Sequence, residues 1–462
     1  LVRIKNGKLI DHEMRFGGFK HHTEIVTPQG MVNLNGKVIP VVVNAYDTRF
    51  DIQSIQCEID GHSFFLKQTS LWSWRGENPF PDHFSGEHKL TIGIEGTDGE
   101  RWQKEASFSV VDDEELKAPV TLNWVSSTSG IIGFPSPVFG EDCIAIGVDD
   151  KGDLLNSGVS AFTKAGKRLW HYHTDSAVKN SVAAADGCIY AASVAGWLYA
   201  LDEKSGELLW KADLNSEIQD RWEIAATAVG GGMVFAGAHS CVAAFDASDG
   251  KLIWKIRQNK DDWKPTGYPV PVFVKDKLVI TGRISVCVLD AQTGQPGWRK
   301  EGVFYGCKVV NDSIFTIHDG SLVALSLSTG QQIWAGREKP GGTPSSPAVA
   351  FGKLVVGTSD GKVCAFSEKD GSFLWMAQTG ETVTSTQPYE RYGGEVNSSP
   401  AILDRSVYIG SGDGKIHIYS LNDGKELGSY NLGVPVVSSP FISGKNLYIG
   451  AYDGNLYSFS IN

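Results

Sequence analysis

The sequence predicts an all-β protein, most of it a ring of eight four-stranded sheets (a β-propeller), with a smaller β-domain in front. Three observations carry this. An eleven-residue phrase recurs as ALDEKSGELLW (200–210), AFDASDGKLIW (244–254), VLDAQTGQPGW (288–298), ALSLSTGQQIW (324–334) and AFSEKDGSFLW (365–375). Its tryptophans, with Trp170 of the shorter AFTKAGKRLW, lie 40, 44, 44, 36 and 41 residues apart, the length of one four-stranded blade. Between the phrases, Val/Ile/Phe/Cys-rich runs alternate around Asp-Gly pairs, which favour positive φ in tight hairpins.

Residues 1–30 read as a strand and linker. Residues 31–111 leave the period but still alternate, as in Lys37 to Tyr46, Ile52 to Ile59 and Lys89 to Gly96, with turns at Asp60-Gly61 and Asp98-Gly99. A small sandwich of immunoglobulin or fibronectin type III kind is expected there. The acidic stretch from Asp112 to Glu115, with Lys117-Ala-Pro119, reads as a linker over 112–119. The propeller then occupies 120–462. Its best copy runs Ser346 to Ala350, Lys353 to Ser359, Lys362 to Ser367 and Phe373 to Gln378.

Strand starts near Ser136, Ser181, Thr227, Pro269, Gly306, Ser346, Ser399 and Ser439 count eight blades. The last lacks an outer strand. Val120 to Trp124 is expected to supply it, pairing the two chain regions and removing an exposed sheet edge. A degenerate phrase, IYSLNDGKELG, ends at Gly428 where a tryptophan would stand.

This repeat resembles the pyrroloquinoline-quinone (PQQ)-like propeller family, whose A-x-D-x-x-x-G-x-x-x-W motif stacks each tryptophan between neighbouring blades. The resemblance implies docking roles for Trp124, Trp170, Trp210, Trp254, Trp298, Trp334 and Trp375. Earlier in the chain, Val43-Asn-Ala-Tyr-Asp-Thr48, Cys57-Glu-Ile-Asp-Gly61 and Ser85-Gly-Glu-His-Lys-Leu90 resemble sandwich domains that follow a calcineurin-like metallophosphoesterase domain. Val2-Arg-Ile-Lys-Asn-Gly7 looks like the last strand and turn of such a domain.

Forty-two Lys+Arg against 53 Asp+Glu leave a net charge of −11, which repels phosphate backbones and anionic lipid surfaces, so nucleic acid is not an expected partner. No apolar run reaches the roughly 18 residues of a membrane-spanning helix. The chain starts at Leu1, and a signal peptide or preceding domain is expected upstream. Seven scattered cysteines, without a C-x-x-C or an adjacent pair, read as small core residues.

Catalytic constellations are not assembled. The metallophosphoesterase segments D-x-H, G-D, G-N-H and G-H-x-H do not occur as a set, and Gly86-Glu87-His88 reads as part of a hairpin. His171-Tyr172-His173 puts two imidazoles on one strand face, an incomplete metal site, and His21-His22 is a poorer one. A quinoprotein dehydrogenase would typically bring a vicinal cysteine disulfide and Glu/Asn/Asp ligands for calcium. Asp149-Asp150 and Asp153 are the calcium candidates, but read more simply as a turn.

Long aromatic connections remain. Asn215 to Glu223 carries Arg221-Trp222; Gln258 to Pro269 carries Asp261-Asp262-Trp263 and Tyr268; Thr379 to Asn397 carries Tyr389-Glu390-Arg391-Tyr392. Strand order sends all three to the face that bears the turns between second and third strands. Aromatic planes bounded by Arg and carboxylates suit a protein, glycan or small-molecule ligand there. The expectation is a non-catalytic recognition or docking region of an exported protein, periplasmic or secreted, without cofactor, with a metallophosphoesterase-like hydrolase as its parent. The alternatives are a PQQ/Ca²⁺-dependent dehydrogenase and a scaffold similar to the BamB-type lipoprotein of outer-membrane assembly.

Overall fold

The computed structural model describes residues 2–5, 8–12, 18–32, 38–79, 85–111, 118–149, 156–214, 226–238, 241–257, 271–282, 285–343, 345–384 and 395–462. Eight four-stranded antiparallel sheets form the ring. Blades 1 to 7 occupy 138–173, 183–213, 226–257, 272–301, 304–335, 348–378 and 401–431. Blade 8 joins Phe441–Ser443, Asn446–Gly450 and Asn455–Ile461 to Val120–Ser127, which pairs antiparallel with Asn455–Ile461 and closes the ring.

Each blade buries its second and third strands almost completely and leaves the outer strand half exposed, as in Leu354 to Val356 against Phe373 and Leu374. The outer strands share one irregularity. In blades 1 to 7 the residue before the tryptophan position falls out of register, as where Ala244 pairs with Trp254 and Phe245 with Leu252. In blade 8 the displaced residue is Asn123. Such a bulge twists the strand and re-aims the next side chain.

The re-aimed indoles each dock on the next blade. Trp124, Trp170, Trp210, Trp254, Trp298, Trp334 and Trp375 donate Nε1–H to the carbonyls of Lys164, Glu203, Ala247, Ala291, Leu327, Glu368 and Leu421 at 2.8 to 3.1 Å. Under each ring sits the glycine of the next phrase, at φ between +69° and +84°, where a Cβ would lie within 2.8 Å of the indole. A second tie runs among the inner strands. Backbone N–H groups of Ser346, Ser399, Ser439 and Ser136 donate to the hydroxyls of Ser399, Ser439, Ser136 and Ser181, crossing from blade 6 through blades 7, 8 and 1 to blade 2.

The N-terminal part begins with a hairpin, β1 (Val2–Lys5) and β2 (Lys8–His12). Eight strands follow: β3 (His22–Thr27), β4 (Gly30–Val32), β5 (Val38–Tyr46), β6 (Ile52–Ile59), β7 (His62–Gln68), β8 (Ser73–Pro79), β9 (Gly86–Gly96) and β10 (Arg101–Val110). The expected two-sheet sandwich appears as one eight-stranded sheet, in the order β3-β5-β8-β7-β6-β9-β10-β4, curled into a half-barrel. The bridge is a short β7–β8 pairing, Lys67 with Arg75 and Gln68 with Trp74, which joins what would otherwise be two layers. Inside lie Ile25, Val41, Val43, Ile55, Cys57, Leu90, Ile92, Ile94 and Phe108. The linker expected at 112–119 falls largely outside the described residues.

Candidate functional site: the loop face of the ring

The face is defined by hydrogen bonds between connections leaving outer strands and the turns between second and third strands. Leu214 N donates to Gly196 O, Thr379 N to Gly361 O and Leu432 N to Gly414 O, each at 2.8 Å. The long connections therefore leave from this face, at Leu214, Arg257 and Thr384. Arg221, Trp222, Asp261, Asp262, Trp263, Tyr268, Tyr389, Glu390, Arg391 and Tyr392 themselves lie outside the described residues, as do Asp150 and Asp153.

Over blades 7 and 8 this face is covered by the half-barrel. Phe19, Val26, Val42, Tyr46 and Trp72 share one core with Leu432, Val434, Val436 and Tyr452. Trp72 is fully buried, stacked on Tyr46 at 4.5 Å. Polar contacts frame it: His22 Nε2–H to Gly433 O at 2.7 Å, Tyr430 Oη–H to Val26 O at 2.8 Å, and Arg75 Nη1–H to Val125 O at 2.7 Å. Burial pulls the His22 pKa down, partly offset by the Gly433 carbonyl, so His22 serves as a neutral donor.

At the centre of the contact is a buried polar knot. The Asp453 carboxylate, fully buried in the blade 8 turn, accepts from Asn44 Nδ2 at 2.9 Å, Asn455 Nδ2 at 2.8 Å, Asn455 N at 3.1 Å and the Tyr457 hydroxyl. Asn455 also reaches Ser73 Oγ at 2.9 Å, and Ser70 donates to the Asp453 carbonyl. Burial pushes the Asp453 carboxyl above its usual value against the pull of these donors, and pushes the Tyr457 phenol up.

Blade 7 carries a parallel arrangement at the same turn. His417 Nε2 lies 2.8 Å from Asp413 Oδ2, and its Nδ1 lies 3.0 Å from Glu426 Oε1. Neither cluster was foreseen from the sequence. The signal exists: Asp413-Gly-Lys-Ile-His417 and Asp453-Gly-Asn-Leu-Tyr457 set a polar residue four after the turn aspartate, where the hairpin folds the pair together.

Towards the ring axis, Asn397 Nδ2 lies 3.0 Å from Glu395 Oε2, and Lys179 Nζ lies 3.9 Å from Asp149 Oδ2. A calcium-quinone site would call for further carboxylates around one point. Among the described residues no group of three His, Cys, Asp or Glu side chains is placed to hold a metal ion, and the calcium candidates Asp150 and Asp153 lie outside the described residues. His171 is tied through Nδ1 to Ser160 Oγ at 2.7 Å, with its pKa lowered to about 4 by burial and by His173. His88 is spent on Asp60 at 2.6 Å. Cys57, Cys143, Cys287, Cys307 and Cys364 are buried, their thiols pushed up to about 12 chiefly by desolvation.

Relatives include outer membrane protein assembly factor BamB of Yersinia pestis, 28% identical over 244 residues covering 48% of this chain and 62% of that protein. The quinoprotein alcohol dehydrogenase PedH of Pseudomonas putida is 29% identical over 143 residues, 26% of this chain and 24% of that one. The chain thus spans less than two thirds of the length of these relatives. Among solved structures, BamB from Moraxella catarrhalis superposes with a TM-score of 0.60 at 17% identity, covering 74% of this chain and 99% of that one. Quinohemoprotein alcohol dehydrogenase from Comamonas testosteroni gives 0.60 at 14% identity, covering 76% and 78%. At such identities the superpositions establish the propeller alone. The family model for outer membrane protein assembly factor BamB matches residues 155–302, 238–414 and 377–462, well over half of the sequence, and the chain belongs to that family.

Proposed function

We propose that this chain is a non-catalytic docking scaffold of an exported, periplasmic protein, holding a protein partner against the loop face of its ring. The observation that carries this reading is the placement of the half-barrel. It is fixed over blades 7 and 8 on the face from which the long connections leave, which makes a wall on one side of that face. Membership of a family named for an assembly factor supports a protein as occupant. The chemistry of the described side chains supports a binding role: His88 and His417 are committed to carboxylates, and the raised thiols are poor nucleophiles.

The test places a photoactivatable crosslinker at Trp263 or Tyr389, within the long connections, and at Leu252 or Leu374 on the outer strands. A discrete protein adduct from the loop positions and none from the outer strands is expected; equal labelling from both would sink the reading. A second reading, PQQ-dependent alcohol oxidation, draws on the likeness to quinoprotein dehydrogenases and on the Glu395–Asn397 pair. A saturable spectral shift with PQQ and Ca²⁺, with dye-linked oxidation of alcohol, would put it first.

The finer setting belongs to the same proposal. We read the half-barrel as an immunoglobulin-like domain, supported by β4 pairing parallel to β10 while β3 pairs with β5. We read the β1–β2 hairpin as continuing a metallophosphoesterase-like hydrolase, and the coding sequence upstream of Leu1 tests that.

A further inference from the structure

We propose that Asp413, His417 and Glu426 form a protonation-dependent latch that holds the base of the connection between blades 6 and 7, tightest in mildly acidic solution. The base is knitted to the blade 7 hairpin at both ends. Gly380 N donates to Asp413 Oδ2 at 2.8 Å and Val383 N to Gly412 O at 2.8 Å. On the return side, Gly412 N donates to Glu395 O at 2.8 Å, and Glu395 N to Thr382 Oγ1 at 3.1 Å. One oxygen, Asp413 Oδ2, therefore serves both the connection and the ring of His417.

His417 is buried, with a carboxylate oxygen at each ring nitrogen. Only an imidazolium can donate to both. From its own strand it meets Asp413 and the Tyr419 ring, stacked at 5.6 Å; from the outer strand it meets Glu426; its partner on the second strand, Ile409, carries no titratable group. The connection contributes the Gly380 amide; its described carboxylates are Glu381, which is exposed, and Glu395, whose Oε2 lies 3.0 Å from Asn397 Nδ2. Among the turns between second and third strands, those at Asp360, Asp413 and Asp453 read Asp-Gly-Lys or Asp-Gly-Asn and carry Cys364, His417 and Tyr457 four residues after their aspartates; of these three side chains only histidine ordinarily titrates near neutrality.

The sign follows from the two partners. Burial opposes charge on His417, but the bonds and charges of Asp413 and Glu426 outweigh it and hold its pKa above 6.5. Its contribution is complete below 6.5 and is lost as pH rises through the folded value. Burial likewise opposes charge on Asp413, but His417, Gly380 and Lys415 hold its pKa below 3.8, so its contribution is complete above 3.8 and is lost on acidification. Together they peak between 3.8 and 6.5. When His417 loses a proton, the remaining N–H stays on Nε2 facing Asp413, which is 3% exposed. Glu426, 48% exposed, turns to water. The latch slackens without letting go.

This deepens the docking reading, since the held connection carries Tyr389 to Tyr392, yet its test needs no partner. Amide protection of Gly380, Val383 and Glu395 is measured by hydrogen exchange on the full chain at about pH 5.5 and about pH 9, corrected for intrinsic rates. Roughly tenfold higher protection is expected at the lower pH, with no such difference in His417→Gln. Equal protection of the unmodified chain at both pH values overturns the proposal, as does a pH difference retained by His417→Gln. If His417→Gln does not fold, Glu426→Gln decides: removing the outer carboxylate must move the midpoint to lower pH, and an unmoved midpoint refutes the latch. Failure of the docking reading shows separately, in the crosslinking.

Discussion

At the scale of the residue, the ring depends on a bulge, an indole and a glycine acting together. Trp254 shows the arrangement: the bulge at Ile253 turns its ring to blade 4, its Nε1–H meets Ala291 O at 2.8 Å, and Gly294 lies beneath at φ +71°. Trp254→Ala removes a large, partly buried ring whose space the surrounding strands cannot close, and is expected to cost about 3 kcal/mol in equilibrium urea unfolding, the lower end for such truncations. A neutral result would deny the indole its docking role. These residues were legible because a tryptophan every 36 to 44 positions is a rare signal. Their bulges were not, because the unpaired residue before each tryptophan, Ile253, Gly297 and Asn123 among them, looks like any other position of the strand. The role of His22 was not legible: its acceptor, Gly433 O, lies 411 positions away, and no local pattern carries that information.

At the scale of the element, the missing tryptophan of blade 7 has a topological cause. An indole there would need the turn between the third and outer strands of blade 8, but that turn does not exist, because those strands are Asn455–Ile461 and Val120–Ser127 from distant parts of the sequence. Pro119, leading into the closing strand, fills the place instead: a Cβ on Gly428 would lie 2.7 Å from Pro119 Cγ. Pro119 O accepts from Asn462 N at 3.2 Å, fixing the seam. Restoring the motif with Gly428→Trp should therefore destabilise the protein by about 1 to 3 kcal/mol through overpacking. A rise in melting temperature would mean that the seam has room for a ring. The closing strand was legible from the count of strands. Pro119 as its plug was not, since proline before a strand reads simply as a linker residue.

At the scale of the whole molecule, the half-barrel and the ring share a core, so they should unfold together. The shared core joins Trp72 and Val42 to Val434 and Tyr452, and its polar centre is Asp453, reached by Asn44 from the half-barrel and by Asn455 and Tyr457 from blade 8. No periodicity reports such a contact, because Asn44 and Asp453 are separated by 409 positions and each looks ordinary in its own segment. Asp453→Ala strands several buried donors at once, at a cost of about 1 to 3 kcal/mol for each group left unsatisfied. The variant is expected to melt in one transition at a clearly lower temperature by calorimetry, with tryptophan fluorescence and far-UV circular dichroism falling together. Two separated transitions, the first confined to the half-barrel, would show that the domains are merely apposed, and the wall beside the loop face would then be a hinge.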